Sequence, residues 1–464
     1  MNDRNKGTPT MFEYAAYGMG GIFINLGIIA EQFGMYFMTN VALLPSAVVG
    51  SMMMITTLFD AINDPIIGGM ADRCNTRIGK YRPLILGGAF AMCVTMIMRF
   101  TIPDLGETGK VIYYMIAMLL YSVAFTTCCV PWQAMMSILS VDYKGRNVLL
   151  TVRLIAGALV GTVIGAVLLK AVDHFGGGAD GWQNFILMIW CIGLPAAFLC
   201  QLGMKRVDYK GSIPTPPKKS VSKQMLQLTK NKPVVCVCLA IGLTSLTQTI
   251  NNASSMYYYE YVLGDTSVLM KTSVYSLPVS LICTFSIPFI LEKIDKRHML
   301  LIAYVLNMVK PITIWLMGDS LTVDAATALI VFSYIGAAFY GSSIFAWVPE
   351  CVDWTNWRYK ISAAGIISAS VTFMQKVGRA FGQWMTGALM GFAGFHADGP
   401  LTQEVTDVIL NLNGLFQVIG FTLTLIPILL FPISRVQGDE IRQKLRDRER
   451  EDTMKVSEPW HPGP

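Results

Sequence analysis

Phe59–Pro83 reads FDAINDPIIGGMADRCNTRIGKYRP. Asp60 and Asp64 stand one helical turn apart at the end of the apolar run MMMITTLFDAINDPIIGG, so both carboxylates project from one helix face. An acid at bilayer depth costs about 3 kcal/mol on insertion scales and more in simulations. Two acids are tolerated there only if they meet a polar cavity, a basic partner or a bound cation. Directly afterwards come Asp72, Arg73, Arg77, Lys80 and Arg82, a basic cluster of the kind found in a cytoplasmic loop.

The rest of the chain fits the same frame. Of its 464 residues, 53% are hydrophobic and 14% charged, where a soluble domain carries about 25% charged. Apolar runs of about twenty residues recur along the whole length, each able to cross roughly 30 Å of hydrocarbon. The expectation is an all-α membrane protein with about twelve transmembrane helices. Its spans fall near 12–39, 46–71, 83–102, 111–140, 147–171, 182–204, 233–262, 268–291, 298–318, 323–349, 361–394 and 408–434. The first apolar run is too long for the core of a signal peptide, so it reads as the first span. Loops carrying Lys144 and Arg146, Lys205 to Lys232, Lys293 to Arg297, and Arg358 with Lys360 alternate with loops poor in Lys and Arg. That alternation puts both termini in the cytoplasm of a multi-pass cell-membrane protein.

The Pro- and Lys-rich stretch 205–232 divides the chain into an N-terminal bundle, 1–204, and a C-terminal bundle, 233–435, followed by a charged tail, 436–464. Six spans, a basic linker and six spans are the layout of a transporter built from two parallel-related bundles with the substrate between them. The turn Lys293–Arg297 falls in the second half where a duplication would place an echo of Asp72–Arg82. The net charge of +6 sits in short loops and is not a nucleic-acid footprint. The ten cysteines are scattered, and Cys236-x-Cys238 lacks zinc-site spacing. Neither a phosphate-binding G-x4-GK[ST] nor a G-x-S-x-G elbow is present, and the four histidines are dispersed, so an enzyme is not expected.

The string DAINDP-x8-R-x3-R-x-G-K-x-R-P resembles the motif of the glycoside–pentoside–hexuronide:cation symporters, the melibiose-carrier family of the major facilitator superfamily. YYYEYVLGD (Tyr257–Asp265), ECVDWTNWRYKISAAGI (Glu350–Ile366) and FMQKVGRAFG (Phe373–Gly382) are similar to three further stretches of that family, in order. The resemblance implies the major facilitator fold and cation-coupled symport by alternating access. It also implies that Asp60, Asp64 and Thr126 belong to a coupling-cation site, that Lys376 is the intramembrane base facing those acids and the substrate, and that Arg153 contacts the sugar. Na⁺ wants oxygen ligands, whereas a proton needs only an acid made basic by burial. Asp72, Arg73, Arg77, Lys80 and Arg82 would latch the halves on the cytoplasmic side. The sequence departs from the family at Gly21, where an acid is usual, at Cys129, where an acid or amide precedes the proline, and at Gln133, where the melibiose carrier has a tryptophan. Cys129 is kept in the cation set and Gln133 in the substrate set.

Gln248, Asn251 and Asn252 form a polar patch suited either to a hydroxylated ligand or to interhelical hydrogen bonds. Tyr340 is a candidate for stacking on the substrate or for packing. Glu31 lies either in the pathway or at the outer interface. Tyr257, Tyr258 and Tyr259 read as an outer interfacial belt. The solute expected is a glycoside or glucuronide, carried by a monomer in the lipid bilayer, with Na⁺ or H⁺ as coupling ion and no other cofactor. The alternatives are an amphipathic, lipid-like or steroid-like solute and, in a different class, a transporter-like receptor.

Overall fold

The computed structural model describes residues 9–74, 76–140, 143–209, 231–359, 364–434, 437–445 and 447. The central linker expected at 205–232 lies mostly outside the described residues, as does most of the tail after 436. Among the described residues the chain is helical, with one isolated bridge between Thr76 and Gly79.

The helices are α1 (Met11–Gln32), α2 (Ser46–Arg73), α3 (Arg82–Arg99), α4 (Glu107–Leu139), α5 (Tyr143–His174) and α6 (Gly178–Gly203) in the first half. The second half has α7 (Lys232–Tyr257), α8 (Ser267–Lys293), α9 (Lys296–Met317), α10 (Val323–Ser343), α11 (Trp347–Tyr359), α12 (Ala364–Phe392), α13 (Gln403–Asn413) and α14 (Leu415–Leu430). Eleven helical segments among the described residues are long and apolar enough to cross a membrane, α13 and α14 together forming one. The twelfth is α12, 29 residues long and interrupted by Lys376 and Arg379. The tenth span is shorter than expected: α10 stops at Ser343, and the separate helix α11 begins at Trp347, whose ring stacks on Phe431 at 4.0 Å.

The two halves repeat one packing scheme. Helix α1 packs on α5 and α6 as α7 packs on α12 and α14, α3 packs on α4 as α9 packs on α10, and α2 packs on α4 as α8 packs on α10. Between the halves α2 lies against α12 and α5 against α8. Helices α1 and α7 also end alike: α7 runs directly into a five-residue π turn, Tyr258–Val262, and α1 reaches Phe37–Val41 after one short break. A π turn is rare and concentrates at functional positions. Here the two turns meet, with Thr39 Oγ1 2.6 Å from the Tyr257 hydroxyl and Asn40 Nδ2 donating to the Tyr261 hydroxyl at 2.7 Å. Tyr257, Tyr258 and Tyr259 are therefore buried, at 0%, 1% and 7% exposure, and do not form the outer belt expected of them. The packing of the two helix ends outweighs the usual preference of tyrosine for the interface.

The molecule has one end that carries the basic loops and one that does not. At the loop-poor end α2 and α12 touch backbone to backbone. A Cβ on Gly50 would lie 2.9 Å from the Gly387 Cα, and one on Gly387 would lie 2.4 Å from the Ser46 carbonyl oxygen. At the basic end of the same two helices, a Cβ on Gly69 or Gly365 would meet nothing within 4 Å. The pair is closed at one end and splayed at the other.

The basic loop itself is held by its own half. The buried Asp208 carboxylate accepts from the backbone N–H of Lys80 (2.6 Å), Tyr81 and Arg82 (both 2.8 Å), which satisfies amides otherwise orphaned at the start of α3. Gly79 allows this approach: its φ is +132°, and a Cβ there would lie 2.7 Å from the carboxylate. Arg73 and Arg77 are exposed. At the start of α1, Thr10 and Glu13 form a capping box, and Glu13 binds Arg206 at 2.7 Å, fastening α1 to the end of α6.

The interiors of the halves differ. The N-terminal half contains one continuous apolar core. The core of the C-terminal half is split into a cluster near the basic end and another near the opposite end. A polar layer from α7, α9, α10 and α14 separates them.

Candidate functional site

Asp60 and Asp64 face α4 and α12 from α2, 16% and 28% exposed at the side chain. Thr126 of α4 donates to Asp60 Oδ1 and to Asp64 Oδ1, each at 3.0 Å. Ser122, one turn earlier, donates to Asp60 Oδ1 at 2.8 Å. From the opposite half, Lys376 Nζ lies 2.6 Å from Asp60 Oδ2, 2.5 Å from Asp64 Oδ2 and 3.2 Å from the Asp60 carbonyl oxygen. One ammonium thus bridges two carboxylates across the bundle interface, and hydroxyls fill the remaining acceptor directions. Removing Lys376 from this group would leave two carboxylates without compensation, which costs about 3–5 kcal/mol.

One sequence expectation changes here. Cys129 does not join the acids: its Sγ accepts from Gln133 Nε2 at 3.0 Å. Ser122 takes the place expected for it, because position 122 precedes Thr126 by one turn and falls on the same face of α4. A serine in an apolar span carries little insertion cost, so nothing in the sequence marked it. Gln133 is exposed, whereas its neighbour Trp132 is buried and stacks on Tyr17 at 4.9 Å. The Arg153 guanidinium lies 5.2 Å from the Trp132 ring centre. Gly21 is beside it: a Cβ there would meet Ala156, Trp132 and the Arg153 backbone between 3.2 and 3.9 Å.

A cavity of about 300 Å³ lies between the polar layer of the C-terminal half and Gln32, Phe33 and Tyr36 of the N-terminal half. Gln248, Asn251, Asn252 and Tyr340 all line it, so the structure gathers the expected polar patch and the tyrosine into one place. Gln248 Nε2 donates to the Tyr340 hydroxyl at 2.5 Å, and Tyr340 stacks on Tyr304 at 4.9 Å. Sequence reasoning missed Lys310. It is 6% exposed, lines the same cavity, and donates to Asn251 Oδ1 at 2.5 Å, an acceptor it shares with Gln417 Nε2 at 3.0 Å. A lone lysine inside LNMVKPITIWLM was the available signal, by the insertion cost that marked Asp60.

Two smaller cavities lie between the sites. A small cavity against Asp60 is also lined by Glu31 and Arg379, and a cavity of about 120 Å³ lined by the same two residues reaches Gln32 and Asn252, which border the large one. Glu31 therefore lines the cavities between the two sites, 3.9 Å from Arg99. Thr57 Oγ1 donates to Gln383 Oε1 at 2.8 Å beside this passage, tying α2 to α12.

The family described as MFS/sugar transport protein matches residues 16–435. The chain belongs to that family. It is a membrane transporter rather than an enzyme. It is 25% identical over 435 residues to an isoprimeverose transporter of Lactiplantibacillus pentosus, covering 92% of this chain and 89% of that one. A putative sulfoquinovose importer of Escherichia coli (strain K12) is 26% identical over 407 residues, 85% of each chain. In fold, the transporter is similar to the crystal structure of a bacterial homologue of the human lysosomal transporter Spinster, in an inward-facing, unoccupied conformation. That likeness has a TM-score of 0.63, with 15% identity, 91% of this chain and 96% of that chain covered. The major facilitator architecture and the expected pair of six-helix bundles therefore hold.

Proposed function

We propose that the transporter is a cation-coupled symporter of a sugar-type solute, working by alternating access as a monomer in the cell membrane. The observation that carries this reading is the Lys376 bridge. The acids belong to one half and the base to the other, so the charge state of the pair and the relation of the halves are one variable. The ammonium lies against three oxygens, Asp60 Oδ2, Asp64 Oδ2 and the Asp60 carbonyl, while Ser122 and Thr126 bind the Oδ1 side of the carboxylates. Na⁺ is suited to that oxygen set, and a proton acts by neutralising one carboxylate. Either ion weakens the hold on Lys376 and lets α12 move against α2.

The loop-bearing end faces the cytoplasm on the positive-inside rule, with both termini there. The closed end of α2 and α12 then faces outward, and the conformation is open inward. Asp72, Arg73, Arg77, Lys80 and Arg82 would form the latch with the second half when the carrier faces outward, and in the present state the backbone of Lys80 and Arg82 is parked on Asp208. The amide and hydroxyl groups around the large cavity suit a hydroxylated solute better than a lipid-like one. Arg153 and Gln133 would meet the solute from the N-terminal wall. Relatives that bear sugar names point the same way.

The deciding measurement is uptake into proteoliposomes of a panel that includes isoprimeverose and sulfoquinovose, with Na⁺ and proton gradients imposed separately. Accumulation that follows one gradient supports symport and names the ion. Binding without accumulation would make the protein a receptor.

A further inference from the structure

We infer that the solute is an anion, and that Lys310 receives its carboxylate or sulfonate group inside the C-terminal cavity. This deepens the reading of that cavity as the solute site and rests on it.

The charges facing the pathway do not balance. Glu31 faces Arg99, and Asp60 and Asp64 share Lys376. Glu260 sits at the closed rim, 3.4 Å from Asn40. Among the described residues, Arg153, Lys310 and Arg379 pair with no carboxylate. Arg379 is exposed between the halves, and Arg153 lies against the Trp132 ring. Lys310 is different, because it is buried in the membrane interior. An ammonium removed from water is among the costliest groups a protein can hold without an anion.

Its hydrogen bonds repeat the imbalance. The ammonium has three donors, and among the described residues it finds one acceptor, Asn251 Oδ1, which also serves Gln417. Gln417 Nε2 spends both hydrogens on Asn251 Oδ1 and the Leu412 carbonyl, so the donors that face the cavity are those of Lys310, Asn251 and Gln248. A group with several acceptor oxygens and a negative charge matches that surplus, and a neutral hydroxyl does not. Once the coupling ion binds at Asp60 and Asp64, the net positive charge of the pathway rises further. An anionic solute then brings the loaded carrier closest to neutrality at the step where it must reorient.

The test uses purified full-length protein and three probes with the same ring: D-glucose, D-glucuronate and 6-deoxy-6-sulfo-D-glucose. Binding is followed by thermal shift and by titration. At least one acid should bind about tenfold or more tightly than glucose, as a charge-assisted hydrogen bond in a desolvated cavity requires. The two acid arms show whether the carboxylate or the sulfonate is preferred. Lys310→Gln, which keeps a donor for Asn251, should remove the preference, so that the ratio of acid to glucose affinity falls about tenfold to near one. Lys310→Arg should keep the preference for the acid, and it carries the test if the glutamine variant fails to fold. Glucose bound as tightly as both acids, no response to either acid, or an acid preference that survives in Lys310→Gln each overturns the inference. Acid-selective binding without gradient-driven accumulation would remove symport and keep Lys310; gradient-driven accumulation of neutral sugars alone would do the reverse.

Discussion

The two halves share one helix arrangement and have opposite interiors. The N-terminal half has an unbroken apolar core and places its acids on the surface it shares with its partner, where Lys376 compensates them. The C-terminal half interrupts its core with a polar layer and buries Lys310 there beside amides. A duplicated scaffold has thus been divided into a side that senses the ion and a side that holds the solute. The ion side is compensated across the interface and so reports on the relative position of the halves. The solute side is compensated by its cargo.

Four experiments put this contrast at risk. The largest effect belongs to Asp64→Asn, which removes one of the two acids under Lys376. Gradient-driven accumulation should be abolished while the protein inserts normally and still binds solute. Retained accumulation, measured in vesicles, would take Asp64 out of the coupling site.

Next is Lys376→Val, which leaves two desolvated acids facing each other. A loss of about 3–5 kcal/mol in stability is expected, read as a lower melting temperature and yield in detergent. Adding Asp60→Asn should recover part of it, so the two changes should be far from additive. Coupled uptake should fail, with solute exchange retained better, because exchange needs no return of the empty carrier. Additive effects would mean that the bridge contributes nothing as a unit.

Gly387→Leu tests the closed end. Its side chain would enter the contact with Ser46 and Gly50, and overpacking of this kind costs about 1–3 kcal/mol. The population should move away from the present conformation by about fivefold to a hundredfold. Cysteine labelling from the loop-poor side should become faster; unchanged labelling would show that the contact does not hold that end shut.

The smallest effects separate the halves most directly. Ser122→Ala removes one hydrogen bond to Asp60, and Tyr340→Phe removes one to Gln248, each worth about 1 kcal/mol or about fivefold in affinity. The first should shift the half-saturating ion concentration and spare the solute KM. The second should raise the solute KM and spare the ion. A shift of both constants in either variant would merge the two sites into one.

Several of these residues were plain in the chain and several were not. Asp60 and Asp64 were legible because a charge in an apolar span is costly and therefore has a purpose, and their spacing put them on one face. The same rule applied to Lys310, and the sequence reading passed over it because no partner at helical spacing drew attention to it. Ser122 left no mark, since a serine is inexpensive in a helix, and Glu31 stood out without its partner Arg99, because the members of a pair on different helices have no fixed spacing. Tyr257–Tyr259 misled, because tyrosines at a span's end usually mark an interface, and only the docking of α7 on the end of α1 shows them buried.

What the sequence determined by itself is everything that depends on one helix at a time. That covers the membrane class, the number and near-bounds of the spans, the division at the basic linker and the face shared by the two acids. These follow from local costs: burying a charge, burying an unpaired amide, or spanning a fixed thickness of hydrocarbon. Tertiary structure alone decided which residues meet across helices. It set Lys376 on both acids, put Ser122 where Cys129 was expected, left Lys310 and Arg153 without carboxylates among the described residues, and closed α2 on α12 at one end only. Such contacts depend on the rotation and tilt of each helix against its neighbours, which packing of the whole bundle fixes and no single segment encodes.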